Sequence, residues 1–466
     1  MRLTLLDDSQ ELDNLDPVTG EEVNEEELAE RTPEEDAQAA GEAIEELAEA
    51  QATDIVIEQL ELKALRLEDA AEILDNVESS DEGHVALART VADLVADGDV
   101  DATDSVINPD GVSAESMVGS RLSTEGFKDA AQRIWNAIKE FVKKLWSKIE
   151  GFFYKMFGRI PRMRKTLEGV KKRLVEAEGK GYTEPNIELT SGTSQMQSAN
   201  NVMKSFGEYK AGLNNMQKVV NEVFVTSGKA MADGGEAIAN AIEAYDPDAD
   251  KMVASLAAIS LAATKAFGNK LSSISSASAP FSTNLDSSEY TLSFSSALPG
   301  NIAIMVKSDS SAANIARGTS STLVGAAKAR SIGISSVSPA GAKEAPKTVK
   351  IATPKVGEIR DAIAVCEKML SDMEGFYRGT AFKKIKENNK KIQSAGDKLQ
   401  KQVAKLSAED ATQDVIAHYR AALSFNSSYT SGILKSFTGL TSVAMTACSF
   451  VAMVGNKTAS ASREKK

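Results

Sequence analysis

The chain has 466 residues, 42% hydrophobic and 26% charged, with a formal net charge of −14; that leaves room for roughly two to four domains and enough apolar material for a core after residue 126. The acidic total hides a split, because residues 1–125 carry 36 Asp and Glu against 6 Lys and Arg, while residues 126–466 carry 31 against 47. The two cysteines, Cys366 and Cys448, sit in apolar stretches with no metal-binding spacing, which excludes a cysteine-built metal site and fits a reducing cytosolic origin.

The first ten residues, MRLTLLDDSQ, have one positive charge and a short apolar run that ends at Asp7 and Asp8, so no signal peptide is expected. The acidic segment that follows mixes Leu, Ile and Val at helical spacings with many glutamates, a pattern for short helices that repel one another and pack weakly. From Gly98 to Ser120 the composition turns to Asp, Gly and Ser, that of a flexible linker. Asp97, Asp99 and Asp101 have the spacing of a calcium loop, but Ala102 holds the required glycine position and Asn108 the closing glutamate position. Asp246, Asp248 and Asp250 fail in the same way, with Lys251 at the glycine position.

Residues 126–180 reverse the sign, with 15 Lys and Arg against 6 Asp and Glu. Ile134, Ile138, Phe141, Leu145, Ile149 and Phe152 recur every three or four residues, with Trp135 and Trp146 widening the apolar stripe and lysines on the other faces. The pattern predicts a basic amphipathic helix whose apolar side packs in a core, meets an acidic partner or lies in a bilayer interface. We expect it to pack against the helices after residue 195 with its lysines outward, and Pro161 to kink or end it. Lys139, Lys143, Lys144, Lys148, Arg162, Arg164, Lys165, Lys171, Lys172 and Arg173 are the candidate contacts to DNA or another anionic surface.

The rest reads as a helical region over 181–280, a small β region over 281–353 and a C-terminal helical region over 354–466. Met196, Val202, Phe206, Leu213, Met216, Val220 and Val223 form one helical stripe, and a second helix is centred near residue 260. Tyr290, Leu292 and Phe294, a turn at Pro299 and Gly300, then Ile302, Ile304 and Val306 predict an antiparallel hairpin. Alternations at Ile332 and Ile334 and at Val349 and Ile351 offer further strands to the same sheet. Helical spacing returns at Ile359, Ile363, Cys366, Leu370 and Met373, then at Ile392, Leu399 and Val403, with a second basic stretch, KKIKENNKK, at 383–391. Residues 436–455 are uncharged over a membrane-spanning length. Serine, threonine and glycine fill almost half of them, which favours a buried helix-packing segment over a span. No period of 20 to 50 residues repeats, against a solenoid. The fold class is therefore α+β, mostly α-helical, with a small antiparallel β region near residues 289–352 and an acidic segment that is part helical, part disordered.

Nothing in the sequence sets up catalysis. His84 and His418 are the only histidines, and P-loop, GxSxG, HExxH and strand-borne GxGxxG patterns are missing. A Cys366 and His418 pair has no local activating group, so an inert buried cysteine is expected. No enzyme, cofactor or metal site is predicted.

The sign reversal falls at Ser123, Thr124, Glu125 and Gly126, behind the linker, where an accessible chain is readily cut. With STE at 123–125, the acidic segment before it and GFKDAAQRIWNAIKEFVKKLW after it, the chain resembles the internal head proteins of giant phiKZ-like tailed phages. The resemblance implies an acidic propeptide, residues 1–125, and entry into the immature head. It also implies trimming by the phage prohead protease after a Ser, Ala or Gly, any residue, then Glu. Ser80-Asp81-Glu82 and Ser113-Ala114-Glu115 share the pattern, which makes Glu82 and Glu115 secondary candidates; Ser287-Ser288-Glu289 and Ser407-Ala408-Glu409 share it too. Position therefore selects Glu125. The implied protein is a non-enzymatic virion component, made in the bacterial cytoplasm and packaged inside the head. Its partners would be the protease, other internal head or scaffold proteins and, without sequence specificity, double-stranded DNA. Two other readings are an injected or secreted membrane-active effector with an acidic masking segment, and an assembly scaffold whose acidic segment mimics nucleic acid.

Overall fold

The computed structural model describes residues 158–178, 184–246, 251–267, 275–276, 290–309, 333–339, 341–403 and 413–461. The described residues open on a helix, α1, over 158–177, where Ile160, Met163, Leu167, Val170 and Leu174 are buried at spacings of three and four. Pro161 lies in the first turn of the described helix, between buried Ile160 and Met163, and the stretch expected to reach it from residue 127 lies outside the described residues.

A short strand, β1 (Asn186–Leu189), leads into a 3-10 turn (Thr193–Met196) and a two-residue hairpin, β2 (Gln197–Ser198) and β3 (Asn201–Val202). This corrects the stripe expected from Met196 onward. Met196 belongs to the 3-10 turn and Val202 is an exposed strand residue, while the helix α2 runs Phe206–Asn221. Ser205 sets that start, its hydroxyl accepting the Glu208 backbone N–H at 3.2 Å while the Glu208 carboxylate accepts the Lys204 N–H at 2.9 Å. A π-helical turn (Glu222–Ser227) joins α2 to α3 (Gly228–Glu243), and α4 (Met252–Phe267) is the helix expected near residue 260.

The predicted hairpin is present as β5 (Tyr290–Ser295) and β6 (Ala303–Asp309), with Phe294 opposite Met305 and Ser293 opposite Val306. Gly300 (φ 87°) and Asn301 (φ 58°) occupy the left-handed region in the turn between them. The strand β4 (Ser275–Ser276) flanks β5 and β7 (Gly333–Val337) flanks β6, all antiparallel. The strand carrying Val349 and Ile351, β8 (Val349–Ala352), does not join this sheet. It pairs with β1, Ile351 opposite Ile187, and both isoleucines are buried. Sequence alternation reports which face of a strand is buried and carries no information on its neighbour.

Two helices, α5 (Val356–Arg378) and α6 (Thr380–Val403), follow Pro354, and α7 (Gln413–Ala461) closes the described chain. From Ser436 to Ala461, α7 has mean hydropathy 1.6, and 94% of its apolar window is buried inside the protein. The core forms around that half-helix. Phe437 stacks on Phe376 at 4.2 Å between ring centroids, Phe450 lies 4.8 Å from Tyr209, and the hydroxyls of Tyr377 and Thr441 are 2.6 Å apart. Serine and threonine suit such a site because they can bond their own helix, as Thr441 does to the Phe437 carbonyl at 2.6 Å.

Candidate functional site

Among the described residues the basic candidates all lie on α1, and its fold divides them. One strip points at the protein. Arg164 binds Glu374 at 2.7 Å, Lys171 binds Glu367 at 2.5 Å, and Glu178, the residue just after α1, receives both guanidinium nitrogens of Arg360 at 2.9 and 2.6 Å. Positions 164, 171 and 178 therefore meet 374, 367 and 360, so α1 and α5 run antiparallel with ion pairs every seven residues. Arg173 donates to Asn456 Oδ1 on α7 at 2.8 Å. Beneath the ladder, Val170 packs where a Cβ on Gly455 would come within 2.5 Å of its Cγ1 and 3.1 Å of Ile359 Cγ2; only glycine lets α1 and α7 approach so closely.

The other strip faces solvent. Arg162, Lys165 and Lys172 are exposed, Lys172 in a loose 3.4 Å pair with Glu168. Such exposed pairs are easily exchanged for a phosphate. Lys139, Lys143, Lys144 and Lys148 lie outside the described residues, as do Ser123, Thr124, Glu125, Gly126, Glu82 and Glu115. Sequence reasoning missed the docking role of Arg164, Lys171 and Arg173. The signal was there in the seven-residue spacing of Arg164, Lys171 and Glu178 against Glu374, Glu367 and Arg360, which a search for net charge does not weigh.

The second basic stretch is also turned inward. Lys384 meets Asp233 at 3.1 Å and Glu236 at 3.5 Å, Lys391 meets Glu236 at 3.2 Å, and Lys398 pairs with Glu243, so α6 runs parallel to α3 along another seven-residue ladder. The bond from Lys391 holds the Glu236 carboxyl below its usual range, and the bond to Asp233 raises the Lys384 amine. Buried Asn388 donates to the Ala232 carbonyl at 2.7 Å.

The buried titratable groups are tuned against reactivity. Burial, with Cys448 beside it, pushes the Cys366 thiol well above its ordinary range, away from the thiolate that nucleophilic or metal chemistry needs. Burial raises Tyr209 too, and its hydroxyl donates to the Ala447 carbonyl at 3.1 Å. No group of three or more His, Cys, Asp or Glu placed to hold a metal ion occurs among the described residues.

The described residues thus form a helical body tied together by ion ladders, with part of the basic helix α1 turned outward. The phiKZ-like phage internal head proteins match residues 20–452, and the chain belongs to that family. It is a structural protein of the interior of the phage head. No curated protein and no solved structure matches it.

Proposed function

We propose that the chain is made as a precursor, enters the immature head, and is cut after Glu125 by the prohead protease to leave a basic body packaged with the DNA. The observation that carries this reading is the sign reversal at Glu125, with 36 acids and 6 bases before it and 31 acids and 47 bases after it. Removing the first part turns a net −14 into a net +16, which favours residence among phosphates. While attached, residues 1–125 screen the basic surface. Cuts after Glu82 and Glu115 reduce the released segment to smaller pieces. Arg162, Lys165 and Lys172 belong to the DNA-facing set together with Lys139, Lys143, Lys144 and Lys148, whereas Arg164, Lys171 and Arg173 serve mainly to dock α1. Other internal head or scaffold proteins are the remaining partners.

Substituting Glu125→Gln tests the cut. Mass spectrometry of purified virions should find protein beginning at Gly126 in the wild type and a longer chain in the variant. Variant particles that still contain a Gly126 N-terminus would place the processing site elsewhere.

A further inference from the structure

Shifted by 150 positions, so that Phe206 falls on Val356, FGEYKAGLNNMQKVV lies over VGEIRDAIAVCEKML. The Gly-Glu pair coincides, Lys218 falls on Lys368, and the buried Leu213, Met216, Val219 and Val220 fall on the buried Ile363, Cys366, Met369 and Leu370. Two amphipathic helices can always be laid over each other in phase, so this alone decides little. Beyond it, the same shift holds across an interruption. α2 breaks into α3 at the π turn and α5 breaks into α6 at Gly379, yet residues 232–240 and 382–390 again match in burial at every position. Buried Ile242 falls on buried Ile392.

The first turn of each helix pair is also alike. The strands before them, β1 and β8, pair with each other antiparallel and do not follow the 150-residue shift, so the likeness lies in the helices and their first turns. Each first turn is closed by its glutamate, Glu208 accepting the Lys204 N–H at 2.9 Å and Glu358 the Lys355 N–H at 3.0 Å.

Equivalent positions also perform equivalent docking. Lys210 and Gln217 of α2 reach Asp361 and Asp372 of α5 at 2.9 and 3.4 Å. Their counterparts on α5, Arg360 and Glu367, reach Glu178 and Lys171, at the end of α1 and on it. One strip is thus used twice, each time to bind the next helix in the row.

We infer that α2–α3 and α5–α6 are two copies of one helix–helix unit, packed side by side in the same orientation, with the antiparallel strands β1 and β8 outside the repeat, so that the partner the first unit's docking strip fits is a second copy of that unit. Head-to-tail packing of this kind does not close on itself. Here α4 lies against the outer side of α3, and α1 occupies the strip that the second unit would offer to a third.

A reciprocal exchange in the full-length protein tests the equivalence: residues 213–220 trade places with 363–370, against a control in which 213–220 trade places with 366–373, three positions out of register. The in-register exchange should melt cooperatively with a midpoint within about 10 °C of wild type, a few kcal/mol for a body of this size, and the control should not melt cooperatively. An in-register chain that behaves like the control overturns the inference. A second measurement spares the core. The cysteine pairs Lys210→Cys with Asp361→Cys, and Glu178→Cys with Arg360→Cys, should each be joined within one chain by a short bis-maleimide, and Lys210→Cys with Glu178→Cys should not. Efficient joining of that last pair would contradict the side-by-side order.

Discussion

Glycine shows how single residues set the spacing of this fold. Gly455 and Gly375 are both helical, and alanine in a helix interior is ordinarily favoured over glycine by up to about 1 kcal/mol. At Gly375 no atom lies within 4 Å of the added Cβ, so Gly375→Ala should raise the melting midpoint by about 2–4 °C. At Gly455 the same Cβ meets Val170 and Ile359 at 2.5 and 3.1 Å, both in the core, and overpacking of that kind costs about 1–3 kcal/mol. Gly455→Ala should therefore lower the midpoint, and thermal melts of the two variants should move in opposite directions. Equal shifts would mean that α1 gives way at Val170. None of this was legible in the sequence, where both glycines stand in helical patterns and only the third dimension separates them.

At the scale of elements, the helices after residue 350 and the β5–β6 hairpin were legible because their apolar periods are long and uninterrupted. Val202 was read as helical, and Val349 as a strand but with the wrong neighbour, for the opposite reason: a two-residue or four-residue strand offers too few positions to reveal a period or to choose a neighbour. The charges of KKIKENNKK were visible, but not that α3 would supply their partners. Their pH dependence follows from the directions of shift. Glu236 titrates below its ordinary value of 4.5, so its contribution is present above that value and is lost as pH falls through the lower folded one. Lys384 titrates above 10.5, so its contribution is present below that value and is lost as pH rises through the higher folded one. The contributions of Glu236 and Lys384 are thus both present between those two values. Lys391→Gln should lower the midpoint at neutral pH, and the difference from wild type should shrink towards zero in acid, as Glu236 protonates, and in molar salt. A difference that stays constant with pH and salt would assign the role of Lys391 to the packing of its methylene stem.

For the whole molecule, the uncharged stretch at 436–455 carried two readings in the sequence, core or membrane, and the basic helix three, core, acidic partner or membrane. The first is resolved by 94% burial against the surrounding helices. The basic helix carrying Trp135 and Trp146 lies outside the described residues; the basic segment that follows it, 158–177, divides by face, with apolar residues in the core, Arg164 and Lys171 in the ladder, and Arg162, Lys165 and Lys172 in solvent. That division makes the electrostatic proposal separable from stability. If the acidic segment screens the body, residues 126–466 should bind duplex DNA much more tightly than the full chain at low salt, and affinity should fall steeply as salt rises. Replacing Arg162, Lys165 and Lys172 together by glutamine should leave the melting midpoint of the fragment nearly unchanged. It should also reduce the slope of log affinity against log salt by up to about 2.7, at roughly 0.9 for each phosphate that a removed cation had neutralised. Arg164→Gln with Lys171→Gln should do the reverse, lowering the midpoint by loosening α1 from α5 while the slope changes little. Filter binding over a salt series, paired with thermal melts of the same four proteins, reads both quantities. Equal DNA affinity of the full chain and the fragment would end the screening argument. The acidic segment would then act by docking to the assembling head, a role in which its charge recruits a partner instead of hiding a surface.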